Sequence, residues 1–169
     1  YLYAPGDPGT RYTSPGVEVR SRQQCVYLHY PYQVYDGLTV EKSWGSGFRG
    51  YMGTGHDIVR NCIAQYNYEG VNLSGTRTGD EFYDNVFRYN ETSGFVLVNG
   101  PANIKFYRNE TYGNNTVIKD PQGGGAGIKI YGDGVSGIEI YENYIHEAAL
   151  TAIWCDYIHP TSPILIHHN

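Results

Sequence analysis

Long apolar runs, a surplus of basic charge and paired cysteines are all missing from this sequence, and each absence removes a class of function. No apolar stretch approaches the about 20 residues that a membrane-spanning helix needs, so membrane insertion is not expected. Lys and Arg number 12 against 17 Asp and Glu, a net charge of −5. Nucleic acid is therefore not an expected partner, because phosphate binding calls for a basic face. Cys25, Cys62 and Cys155 form no CxxC pair and no His/Cys metal spacing, so no metal and no other cofactor is expected. They read as small hydrophobes, and their odd number leaves at least one thiol without a partner in the chain. Helices are missing as well, since no segment of about ten residues or more follows a 3.6-residue period.

What is present is glycine (22), tyrosine (18) and a great deal of asparagine. Glycine and asparagine serve tight turns and left-handed backbone, and tyrosine suits half-buried strands. The asparagines recur in a phrase: "IVRNCIAQYN" at 58–67, "FYDNVFRYN" at 82–90, "FYRNETYGNN" at 106–115, "IYENYIHEA" at 140–148 and a final "ILIHHN". Stacking these phrases places Gly37, Asn61, Asn85, Asn109, Asn143 and Asn169 at one position, spaced mostly 24 residues apart. About nine residues further on comes Gly, or Ala once, and then an apolar-x-apolar triplet. These triplets are 48–50, 71–73, 95–97, 128–130 and 153–155, with 26–28 opening the series. Three short strands per repeat, each alternating with period 2, predict a single all-β domain over 1–169, a parallel β-helix of about 24 residues per coil. Right-handed winding follows from the handedness of parallel crossovers. The asparagines are expected to take the left-handed turn between second and third strands, stacking their amides into a buried ladder. The sequons at Asn72, Asn90, Asn109 and Asn114 read as chance products of an Asn-rich repeat.

"GLTVEKSWGSGF", "NYIHEAALTAI" and "YLYAPGDPGTRY" resemble the right-handed parallel β-helix repeat proteins of the pectate-lyase-like superfamily. The resemblance implies a carbohydrate-associated protein, extracellular or on the cell surface, with polysaccharide or another glycan as partner. Open solenoid ends call for caps, and both ends look cut. A longer solenoid, continuation through the open ends or self-association is therefore expected.

The resemblance also places substrate on the outer face of the first strand. Alternation gives one outward column of Tyr27, Arg49, Asn72, Val96, Lys129 and Trp154, and a second of His29, Tyr51, Ser74, Val98, Tyr131 and Asp156. Lys129, Tyr131, Trp154 and Asp156 then adjoin on consecutive coils. The inserted loop before the fifth first-strand triplet adds Lys119 and Asp120. If the chain is an enzyme, a polysaccharide lyase or glycoside hydrolase, Lys129 and Tyr131 are its candidate catalytic groups, with His146 as a further acid–base candidate. Trp154, Asp156, Lys119, Asp120 and Arg49 are the candidate substrate-binding residues. Acids are sparse on this face, whereas glycosidases need paired carboxylates and calcium-dependent lyases several. A non-catalytic surface or filament β-helix, or a sugar-binding module, is the alternative. Adjacent strand residues alternate in direction, so His167 and His168 are expected to point apart.

Overall fold

The computed structural model describes residues 21–53, 55–115 and 125–169. Their strands form three all-parallel sheets. The first stacks, in this order, β1 (Val26–Tyr27), β4 (Ser46–Tyr51), β7 (Glu69–Ser74), β10 (Ser93–Val98), β13 (Ala126–Tyr131) and β16 (Thr151–Asp156). The second stacks β2 (Val34–Asp36), β5 (Ile58–Arg60), β8 (Glu81–Tyr83), β11 (Lys105–Tyr107), β14 (Glu139–Tyr141) and β17 (Leu165–His167). The third holds β3 (Thr39–Glu41), β6 (Ile63–Gln65), β9 (Val86–Arg88), β12 (Glu110–Tyr112) and β15 (Tyr144–His146). The chain visits the sheets in turn and pairs each strand with its copy one coil on, giving a parallel β-helix of about six turns.

The expected alternation sets the core. Phe48, Val71, Phe95, Ile128 and Ile153 lie in register along the first sheet and point inward. Phe82, Phe106 and Ile140 do the same on the second sheet, and the Phe82 and Phe95 rings meet edge to face at 5.1 Å. Each fully buried Phe or Leu of this kind is worth about 1.5–3 kcal/mol, which is what holds strands too short to persist alone. The second residue of β4, β7, β10 and β13 is glycine for a steric reason, and β16 has Ala152 there. A Cβ on Gly70 would lie 2.3 Å from the Gly94 carbonyl oxygen, and beside Asn90 and Phe87 of the interior.

The amide ladder exists, but it is displaced by one residue in the opening coils. Asn85 donates through Nδ2 to Asn109 Oδ1 at 2.9 Å, Asn109 to Asn143 at 3.1 Å and Asn143 to Asn169 at 2.8 Å. Each also donates to a carbonyl of the preceding coil, as Asn85 does to Val59 O at 2.9 Å. Asn61 does not belong to this ladder: it is exposed, and its amide reaches Asp36 at 2.8 Å. Cys62 takes the position, with its N–H donating to Asn85 Oδ1 at 2.9 Å. The left-handed residue is likewise not the ladder asparagine but the residue before it, namely Asp84 (φ 55), Arg108 (φ 51), Glu142 (φ 55) and His168 (φ 53). Asn61 (φ 52) is the same kind of corner residue. A side chain that follows the left-handed residue turns inward, which is why the ladder is buried.

A second ladder occupies the corner between third and first sheets. Asn67 donates to Asn90 Oδ1 at 3.3 Å, and Asn90 to Asn114 Oδ1 at 3.0 Å. The third corner, between first and second sheets, carries a buried charge cluster instead. Arg77 donates to Asp57 Oδ2 and Asp80 Oδ2 at 2.7 Å each, and to Leu28 O at 2.7 Å.

Candidate functional site

Both outward columns expected on the first sheet are formed, except that His29 lies beyond the end of β1 and outside the paired register. Tyr27, Arg49, Asn72, Val96, Lys129 and Trp154 lie in continuous register, as do Tyr51, Ser74, Val98, Tyr131 and Asp156. The face is not flat. Asn72, Ser74, Val96 and Val98 point outward yet are almost completely buried, Val96 being only 2% exposed. Long side chains on the flanking coils wall them in: Arg49 and Tyr51 on β4, Lys129 and Tyr131 on β13. Those walls stand three strand spacings apart, about 14 Å. The result is a trough two coils wide, with a polar floor on β7 and a largely apolar one on β10.

Lys129 Nζ sits 4.3 Å from the Trp154 ring centroid and 5.0 Å from that of Tyr131. Arg49 donates to Ser74 Oγ at 3.1 Å and lies 5.6 Å from the Tyr51 centroid. Neither cation has a carboxylate within ion-pair distance among the described residues. Asp156 flanks Tyr131 on the next coil. Lys119 and Asp120 fall outside the described residues. His146 is brought to a different face altogether. On the third sheet it stacks on Tyr112 (4.8 Å) and Tyr144 (4.3 Å), with Nε2 at 3.0 Å from Glu110 Oε1.

The group that sequence reasoning missed is Glu69. It accepts hydrogen bonds at Oε2 from Asn72 Nδ2 (2.8 Å) and Ser46 Oγ (3.2 Å). Burial pushes its carboxyl up from the ordinary range, against those two bonds and the fields of Arg49 and Lys129. Strict alternation puts residue 69 on the inner side, but Gly70 and Val71 both face inward at the sheet corner, and this returns Glu69 to the outer face. Glu69 and Tyr68 border both the trough and a cleft of about 720 Å³ on the first coils, which is rimmed by Tyr27, Trp44, Arg49 and Tyr51. Burial also pushes the Tyr131 phenol up.

This combination, an Asn-laddered solenoid with a recessed polar site on the outer face of its first sheet, defines a parallel β-helix repeat protein. The NosD family, described as periplasmic copper-binding protein (NosD), matches residues 13–131. The chain belongs to that family, whose fold is the right-handed parallel β-helix. The family's periplasmic description agrees with a place outside the cytoplasm. No curated protein and no solved structure matches the chain.

The described residues do not fit a copper site. Copper favours converging imidazole, thiolate and thioether donors. Among the described residues no three of His, Cys, Asp and Glu come together. The Cys62 thiol is buried in the ladder column, bonded to Arg60 O at 3.0 Å. The Cys25 thiol is turned to Glu41 O at 3.4 Å, and the single methionine, Met52, stands exposed. His167 and His168 do not point apart as alternation predicts: their Nδ1 atoms are 2.8 Å apart, because His168 has left the strand for left-handed backbone. Glu139 Oε1 lies 3.5 Å from the opposite ring nitrogen, His167 Nε2, so the three do not converge on one point.

Proposed function

We propose that this chain is a non-catalytic binding module that works outside the cytoplasm and holds a glycan along the outer face of its first sheet. The observation that carries the reading is the continuous recess through Tyr68 and Glu69, with aromatic rings at its rim and hydrogen-bonding groups at its floor. Sugars present apolar ring faces and polar edges, and a site of this composition meets both. The carboxylates argue for binding over hydrolysis. Glu69 and Asp156 are three strand spacings apart and a further five residues apart along the strands, so well over about 14 Å, whereas hydrolysis needs a pair within about 10 Å. Lys129 is enclosed by Tyr131 and Trp154, which favours a fixed charge in the wall over a base that must exchange protons.

Isothermal titration of the chain with a panel of tetrasaccharides tests this. A Trp44→Ala, Arg49→Ala variant should lose at least about tenfold in affinity. Tyr157→Ala, which removes a ring that is 82% exposed outside the recess, should change nothing. Equal affinity in the recess variant and the parent would overturn the proposal.

A further inference from the structure

We propose that Asn72 and Glu69 form an acceptor pair that selects a neutral sugar, through two of its hydroxyl donors, over the corresponding uronate. The inference rests on the glycan reading above and goes further by assigning specificity to two side chains. Asn72 is only 7% exposed, and its Oδ1 has no hydrogen-bond partner. Buried amide oxygens are almost always paired, so an unpaired one at the floor of a recess marks a place for a donor from outside. The amide cannot satisfy itself by turning over. Its Nδ2 is held by Glu69 Oε2 at 2.8 Å, and reversal would set oxygen against carboxylate.

A neighbouring donor is committed elsewhere. Arg49 lies one coil above Asn72 in the same column, and its Nη2 is spent on Ser74 Oγ at 3.1 Å. Glu69 takes both of its hydrogen bonds from described residues at Oε2, which leaves Oε1 without a partner among them. Two acceptors on adjacent, mutually bonded side chains thus lie together under the recess, Asn72 Oδ1 almost sealed from solvent, and among the described residues no donor answers them.

A pyranose with neighbouring hydroxyls supplies two O–H donors to such a pair, while Arg49 and the rim rings receive its remaining oxygens and its apolar face. A uronate carboxylate at the same spot offers no proton to Asn72 Oδ1 and brings like charge to Glu69. Sites built to bond a particular hydroxyl discriminate strongly against ligands that lack it, because the buried partner is then left unmet.

Matched pairs isolate the carboxylate: galactotetraose against tetragalacturonate, and mannotetraose against tetramannuronate, titrated into the whole chain at about pH 8, well above the ordinary carboxyl range. The neutral member of a binding pair should be tighter by about tenfold or more. Asn72→Leu should abolish that preference by weakening the neutral sugar. Glu69→Gln keeps an acceptor, and hydrogen bonds to Ser46 and Asn72, so it preserves the local structure. Its NH2 then stands where the free Oε1 stood, so it should weaken the neutral sugar, admit the uronate and bring the two within about threefold of one another. Uronate binding as tight as or tighter than the neutral sugar, or discrimination unchanged in Glu69→Gln, would overturn the inference while leaving glycan binding intact. No binding by any member would overturn both.

Discussion

Replacing Arg77 with Met tests the charge cluster beneath the β4 wall of the trough. Arg77, Asp57 and Asp80 are 0–1% exposed, and the guanidinium makes four hydrogen bonds of 2.7–2.8 Å. Methionine fills much of the stem volume but leaves two carboxylates and the Leu28 carbonyl facing one another. Each carboxylate keeps a single backbone donor, Gln33 N at 2.8 Å for Asp57 and Asp57 N at 2.9 Å for Asp80. Breaking a buried pair on one side costs about 3–5 kcal/mol, and the lost bond to Leu28 adds about 1 kcal/mol. Arg77→Met should therefore lose about 4–6 kcal/mol at neutral pH. Burial pushes the Asp57 carboxyl up and Arg77 opposes that push, so without the guanidinium its contribution is fully present only below the ordinary carboxylate range and is lost as pH rises; the variant should recover on acidification. Arg77→Met, Asp57→Asn, Asp80→Asn, which buries no charge, should recover most of the loss at neutral pH. Urea denaturation followed by circular dichroism, at about pH 7 and about pH 4, measures all three proteins. A loss below about 1 kcal/mol in Arg77→Met, or a triple variant no more stable than the single one, would refute this account of the cluster.

Asn109→Ala removes donors to Phe82 O and Asn143 Oδ1 and the acceptor of Asn85, so urea unfolding should show a cost of about 1–3 kcal/mol or more. Cys62→Asn should be neutral or stabilising by up to about 1 kcal/mol in the same assay: the thiol already lies 3.6 Å from Tyr35 O and 3.4 Å from Leu38 N, the two groups an amide would bond, and a large loss would mean that the opening coils cannot carry the ladder. Glu69, its carboxyl pushed up by burial, contributes stability that is full below the ordinary carboxylate range near about 4.3 and is lost as pH rises through the raised value. Thermal melts across that window should fall with pH in the parent and less so in Glu69→Gln, and equal slopes would count against a strained carboxylate.

The first sheet was legible because its signals are strong and local. A small residue, glycine in four of the five long strands, followed by apolar-x-apolar, sets register and direction together, and every member of both outward columns except His29 follows from it. The ladder was legible in kind but displaced at its start, because aligning on asparagine identity pairs Asn61 with Asn85 when the corner geometry pairs Cys62 with it. The second ladder was in plain view as "QYN" at 65–67, "RYN" at 88–90 and "YGN" at 112–114. Its members Asn90 and Asn114 read instead as sequons, and nothing in the one-dimensional spacing says that a corner turns them inward. Glu69 was hidden for a related reason: two consecutive inward residues at the corner break the alternation that would bury it. His146 separates from Lys129 because the phrase carrying it belongs to the third sheet, a fact that residue type alone does not reveal.

Because each coil advances the stack by one strand spacing, the gap between the Arg49 and Lys129 walls is quantised. Inserting a coil between β7 and β10 would lengthen the recess by about 4.8 Å. Such a coil needs only the inward glycine, a corner residue tolerant of left-handed backbone and the two ladder asparagines, while its outward positions stay free to vary. The molecule thus separates gauge from chemistry: copy number sets the length of the recess, and single outward substitutions set what lines it. Duplicating or removing one coil is accordingly the natural evolutionary and engineering step for retuning this surface.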